Sequence, residues 1–265
     1  MLTFGMPTLI ETNTLEACVA LCKQLNLSFL ELNMNLPAYQ LHRMDPIRMR
    51  QIAEQAGVFY TIHLDENLNV SDFNPYIASA YRRTVTETIE LAKKLHSPII
   101  NMHVAQGVYF TLPERKVYLF DQYRDEYIKS MREFCFMCEQ AIGDSGIMIA
   151  LENCDGFSSF QKQALDLLLS SSVFGLTFDI GHNHSCGGLD EPYIRKNREH
   201  LCHMHMHDAM GRQNHLPLGT GELDLFSYLR LAEEQSCRLV LETKTVAALK
   251  QSVDWLQSRG IMGSF

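Results

Sequence analysis

The sequence predicts an α/β protein built as a (β/α)8 barrel, one domain over residues 1–265. Two observations predict it. Eight strand-then-helix units follow one another without a break in composition or a low-complexity linker, which fits a closed parallel sheet wrapped by helices. In six of the strands one parity is apolar while the other carries an ionisable side chain near the strand's end. The doubly wound alternative lacks support, because no glycine-rich dinucleotide fingerprint follows the first strand.

The units are read in order. Thr3 to Leu9 is a first strand, followed by a helix from Thr14 to Leu25 with Asn13 or Thr14 as its N-cap. Ser28–Met34 is the second strand. Its helix opens at Pro46, a residue suited to a first helical turn, and stops at Gly57. Phe59–Leu64 and Pro75–Leu95 form the third unit. Pro98–Val104 is the fourth strand, with a loop and a helix between Pro113 and Ile142. Ile147–Asn153 and Gln161–Ser171 form the fifth unit. Gly175–Gly181 is the sixth strand, with a short helix near Glu191–Glu199. The seventh strand is the alternating run HMHMH, from His203 to His207. A tight turn at Gly219-Thr220-Gly221 leads to the helix Leu225–Gln235. Arg238–Thr243 and a helix near Val246–Ser258 complete the eighth unit.

Successive side chains of a strand point to opposite faces. In the third to sixth strands the apolar sets are Ile62/Leu64, Met102/Val104, Ile149/Leu151 and Phe178/Ile180. In the seventh and eighth they are Met204/Met206 and Leu239/Leu241. These suit the helix layer, so His63, His103, Glu152, Asp179, His205 and Glu242 point toward the barrel axis. All six lie near C-terminal strand ends, where barrel enzymes build their sites. Burying six such groups together is costly unless they meet an ion or water. Three imidazoles and three carboxylates form a ligand set for Zn, Mn or Co. His182, His207 and His215 are candidates for substrate contact or further metal. Glu31 and Asn33 share the inward parity on the second strand and are weaker candidates for substrate contact.

Composition narrows the function. With 23 basic and 31 acidic residues the net charge is -8, which argues against a broad nucleic-acid surface. The eight cysteines include Cys18/Cys22 and Cys135/Cys138 at helical spacings, so they read as small core residues in a reducing cytoplasm. The Cys-x-x-Cys at 135–138 sits mid-helix without a second pair, against a zinc or redox role. No apolar run reaches the roughly 18 residues of a membrane span, and no signal peptide is recognisable before the first strand.

Seven short segments, in order and spacing, resemble the xylose-isomerase-like barrels of sugar isomerases, epimerases and metal-dependent abasic-site endonucleases. They are IHLDENLN with His63, NMHVAQG with His103, ALEN with Glu152, and FDIGHNHSCG with Asp179 and His182. HMHMHD with His205, HLPLGTGELD with His215 and VLETK with Glu242 complete the set. The resemblance to the epimerases implies one metal on Glu152, Asp179, His205 and Glu242. The resemblance to the endonucleases implies a second on His63, His103 and Glu152, and a third on His182, His215 and an aspartate. Gln213 stands where that aspartate would be, so up to three ions per chain are implied and the third is the least supported. Homo-oligomers are common among such barrels.

The expected activity is a metal-dependent isomerisation or epimerisation of a sugar or sugar phosphate through an enediolate. Glu152 and Glu242 would act as paired acid and base, and His182 would hold a substrate oxygen. Arg212 is a candidate for a substrate phosphate or carboxylate. The loops Asp65–Asn74 and Gln106–Glu114 are expected to shape the pocket. The alternatives are a phosphodiester hydrolase, a dehydratase or lyase with the same chemistry, and a barrel that binds without turnover.

Overall fold

The structure, a computed structural model, describes residues 2–263; Met1, Ser264 and Phe265, counted in the expected domain, lie outside the described residues. Eight parallel strands close into a barrel in chain order. They are β1 (Thr3–Pro7), β2 (Phe29–Asn33), β3 (Phe59–His63), β4 (Ile99–His103), β5 (Met148–Glu152), β6 (Phe174–Asp179), β7 (Leu201–Met206) and β8 (Arg238–Leu241). The parity expectation holds on the helix side. Ile62, Leu151, Phe178, Met204, Met206, Leu239 and Leu241 are all buried between sheet and helices. Each such burial contributes about 1.5–3 kcal/mol.

Local chemistry sets the helix ends. Thr14, rather than Asn13, caps Leu15–Gln24 by accepting from Ala17 N, and Asp45 caps Pro46–Ala56 with the proline in the first turn. Gly57 ends that helix at φ 71°, a conformation glycine adopts without Cβ strain. Pro75–Leu95 and Val246–Ser258 lie where the periodicity puts them.

Strand register brings the polar parity to one level. His103 pairs opposite Glu152 across β4 and β5, and Asp179 opposite His205 across β6 and β7. Three local features depart from expectation. β6 stops at Asp179, because its carboxylate accepts the His182 N–H and caps a short helix, Ile180–Ser185. β7 stops at Met206, leaving His207 just beyond the strand. Two antiparallel hairpins, Tyr109–Thr111 with Lys116–Tyr118 and Asp208–Met210 with Gln213–Leu216, form in segments expected to be loops. Both lie beyond C-terminal strand ends, where polar turn residues dilute the alternation that announces a strand.

Candidate active site

The densest group of ionisable atoms sits at the C-terminal end of the barrel. Donor atoms of Glu152, Asp179, His205 and Glu242 all lie within 4.8 Å of one another. His205 Nδ1 is the hub: Glu152 Oε1 is 2.9 Å away, Glu242 Oε2 3.0 Å and Asp179 Oδ2 3.7 Å. His205 and Asp179 are fully buried, and the Glu242 side chain is 12% exposed. Lys244 Nζ reaches Glu242 Oε1 at 2.9 Å from the surface.

Beneath this group the barrel interior is polar rather than packed with branched aliphatics. Glu31, only 1% exposed, accepts from His205 Nε2 through Oε1 and from His203 Nε2 through Oε2, both at 2.9 Å. Thr61 Oγ1 donates to the same Oε2 at 3.0 Å. Glu31, expected from its parity to contact substrate, lies below the rim. Both of its oxygens are spent below the rim, and its effect is to fix the His205 tautomer so that Nδ1 faces the carboxylates. Asn101 Nδ2 donates to Glu152 Oε2, and Thr177 Oγ1 to Asn101 Oδ1 at 2.6 Å.

Two sets of imidazoles flank the hub. His63 Nδ1 donates to the Leu64 carbonyl at 2.7 Å, leaving Nε2 3.3 Å from Glu152 Oε2. His103 Nε2 approaches the same oxygen at 3.2 Å. Glu152 thus points one oxygen at His205 and the other at this pair. On the far side His182, His207 and His215 bring ring nitrogens within 4.8 Å of one another. His207 is fully used: Nδ1 accepts the His215 N–H at 2.7 Å, so Nε2 donates to Asp179 Oδ2 at 3.0 Å. His207, expected to meet substrate or a further metal, turns Nε2 to Asp179 and so braces it. His215 turns its backbone to φ 55°, and its Nδ1 donates to the Glu242 carbonyl at 3.1 Å. Gln213 and Arg212 are exposed, Arg212 in the turn of the Asp208–Leu216 hairpin.

Charge balance follows the geometry. Burial raises the Glu152 and Glu242 carboxyls, but the charge of the adjacent His205 imidazole, joined by His103 at Glu152 and Lys244 at Glu242, outweighs it and holds both well below the usual range. Asp179 falls to about 2 in the same way, with His207 as its strongest partner against burial. For His205 burial works against the proton, yet Glu152, Glu242 and Glu31 raise it well above an ordinary imidazole. His215 goes the other way: burial lowers it to about 4.

These residues fit a divalent metal. His205 Nδ1 is buried and has no hydrogen-bond partner, although carboxylate oxygens surround it. Those oxygens lie off the direction in which an N–H would point, as ligands to a shared ion do. Three carboxylates around one imidazole leave negative charge that Lys244 alone does not balance, and the mixed oxygen and nitrogen donors suit Zn, Mn or Co.

Several bracing residues had no assigned role in the sequence reading. Asn153 exchanges two hydrogen bonds with the Asp179 backbone, at 2.8 and 3.0 Å. Asp208 accepts from the amides of Ala209, Gly219, Gly221 and Leu223 at 2.9–3.2 Å, locking the loop after the second hairpin. A Cβ on Gly221 would strike the Ala209 carbonyl and that carboxylate, and one on Gly181 would strike the His207 ring. The signal in the chain is modest: a polar residue directly after a strand at Asp208, the tight turn that holds Gly221, and a glycine without a turn motif at Gly181. A cavity of about 350 Å³ opens beside His103, bounded by Glu66, Asn67, Asn69, Gln106 and Gly107 among others, so the two expected loops do border it.

Comparison with known proteins agrees with this architecture. The chain matches the xylose isomerase-like TIM barrel family over residues 19–259. It is 25% identical over 208 residues to an uncharacterised protein of Methanocaldococcus jannaschii, covering 73% of this chain and 67% of that protein. A D-tagatose 3-epimerase-like protein superposes with a TM-score of 0.79 at 21% identity, covering 98% of each chain. L-ribulose 3-epimerase gives 0.75 at 16% identity, covering 98% of this chain and 95% of that one. The IOLI protein with a bound zinc atom gives 0.75 at 14% identity, covering 99% and 100%. At such identities these structures share the fold. The match over nearly the whole length carries the conclusion that this chain belongs to the xylose isomerase-like TIM barrel family.

Proposed function

We propose that the protein is a divalent-metal-dependent sugar epimerase or isomerase in which Glu152 and Glu242 transfer the proton. One observation carries this reading: two carboxylates, one from β5 and one just past β8, three strands apart around the barrel, meet at a single buried imidazole nitrogen, 2.9 and 3.0 Å away. Glu152, Asp179, His205 and Glu242 would hold the ion. When bound, a divalent ion supplies Lewis acidity that makes the hydrogen beside a sugar carbonyl removable. The names of the structural relatives, among them a 3-epimerase, a 3-epimerase-like protein and a zinc-bound protein, support the reading.

The chain's own groups then divide the work. Glu152 and Glu242 are held ionised, the form that accepts a proton, and they reach the centre from different sides. One would take the proton from one face of the carbon and the other return it, which permits inversion. His182, and His215 kept neutral by burial beside it, would hold a substrate hydroxyl. Glu31 and His207 act as positioning residues behind His205 and Asp179. Exchange of the hydrogen beside the carbonyl with deuterated solvent tests the pair. Glu152→Gln and Glu242→Gln should each slow it by roughly 10²–10⁴-fold. Wild-type exchange in both variants would overturn the mechanism.

A second reading, a phosphodiester hydrolase, draws on His63 and His103, both of which face Glu152 Oε2. Two or more tightly bound ions per chain, with cleavage of a phosphodiester and no proton exchange on sugars, would favour it.

A further inference from the structure

Under the hub, three buried side chains from β4, β5 and β6 form a hydrogen-bonded chain. Thr177 Oγ1 donates to Asn101 Oδ1 at 2.6 Å, and Asn101 Nδ2 donates to Glu152 Oε2. β4 and β6 are not neighbours, since β5 runs between them. Asn101 and Thr177 meet across it because Ala150, the β5 residue paired with Asn101, carries only a methyl group.

Such a chain has a direction, because a carboxamide donates at one end and accepts at the other. The Thr177 hydroxyl gives its single proton to Oδ1, and this turns Nδ2 toward Glu152. The reversed amide would set Oδ1 against a carboxylate oxygen, two acceptors face to face away from water, which is costly. The direction therefore suits a carboxylate at 152 and fixes its rotation. With Oε2 held by Asn101, Oε1 is the oxygen that faces His205 Nδ1, at 2.9 Å. Glu242 is held from the other side. Its Oε1 meets Lys244, whose side chain is 57% exposed, and a pair with an exposed lysine constrains its partner weakly. The two carboxylates of the hub thus differ in how firmly they are aimed.

We propose that Asn101 and Thr177 are positioning residues that fix the rotation of the Glu152 carboxylate, so that Oε1 is presented to the hub and Glu242 is left the freer of the pair. Their effect on turnover rests on the epimerase or isomerase reading above; their effect on metal binding does not. Three variants test it. Thr177→Val keeps the shape and removes the O–H, Thr177→Ser keeps the O–H, and Asn101→Leu removes the amide. Two quantities are read on each: affinity for Zn or Mn in competition with a chromophoric chelator, and, with metal saturating, kcat and KM for solvent-deuterium incorporation into ketopentoses and ketohexoses. Asn101→Leu and Thr177→Val should each weaken metal binding by about 10–100-fold. Each should lower kcat by a similar factor while KM stays within about threefold, as expected when a reacting group is misaimed and substrate binding is intact. Thr177→Ser should return both quantities to within about threefold of wild type. Wild-type affinity and kcat in Thr177→Val would overturn the inference. So would a loss that Thr177→Ser fails to recover, which would reduce Thr177 to packing. If the valine variant does not fold, Thr177→Ala takes its place with the same expected direction. If the wild-type protein exchanges no sugar, the epimerase reading falls, and the metal affinities still decide the inference.

Discussion

Two histidine-bearing clusters sit side by side at the same barrel mouth and differ in what their nitrogens are doing. In the Glu152–Asp179–His205–Glu242 group, His205 is anchored through Nε2 and leaves Nδ1 facing carboxylates without a hydrogen bond. In the His182–His207–His215 group, His207 has both nitrogens spent and His215 keeps one on a carbonyl. Donor atoms are equally close in both, within 4.8 Å. Proximity alone therefore does not distinguish the two. What separates the two is the compensating negative charge and the bond made by each imidazole's other nitrogen.

The largest effect that could break this comparison is on metal content. His205→Ala should leave the purified protein with essentially no tightly bound Zn, Mn or Co, while His182→Ala should keep about one ion per chain by elemental analysis. The reverse pattern would mean that the imidazole group is the principal site.

A smaller effect is expected behind the hub. Glu31→Gln keeps the shape but removes the charge that holds the His205 tautomer, and should weaken metal binding by about 10–100-fold in competition with a chromophoric chelator. Glu31→Asp should restore part of it. Unchanged affinity in Glu31→Gln would reduce Glu31 to a packing role.

The smallest effect separates the clusters by pH. His205 keeps its proton above the usual imidazole value, since three carboxylates outweigh burial, whereas burial keeps His215 neutral down to about 4. An ion entering the first group must displace the His205 proton. Affinity there should rise with pH from 6.5 upward, by up to about tenfold per unit, until the raised folded value is passed. Binding that depends on His215 alone should be flat between pH 5 and 8. Calorimetry in buffers of different ionisation enthalpy reads the proton directly, and an absence of proton release at pH 7 would contradict the assignment.

Much of this site was legible in the chain. The alternation in FYTIH, IINMH, MIALE and HMHMH sorted each strand into a helix-facing and an axial set, and the structure keeps that sorting. The roles of Glu31 and His207 were not legible. Parity told that both lean inward, and it carries no information on what stands opposite. The hairpin at Asp208–Leu216 was missed because only half of it alternates, and its partner is eight residues away at most.

The sequence by itself determined the barrel, the Pro46 start and Gly57 stop of one helix, and the inward set of His63, His103, Glu152, Asp179, His205 and Glu242. These follow from backbone geometry that repeats every two or every 3.6 residues and is written locally. Only the tertiary structure decided which of those groups are anchors, which are ligands and which are braces. Glu31 meets His205 from 174 residues away in the chain, and Asp179 meets His207 from 28. Hydrogen bonds across a closed barrel depend on which strands stand opposite, and that is settled only when the sheet closes.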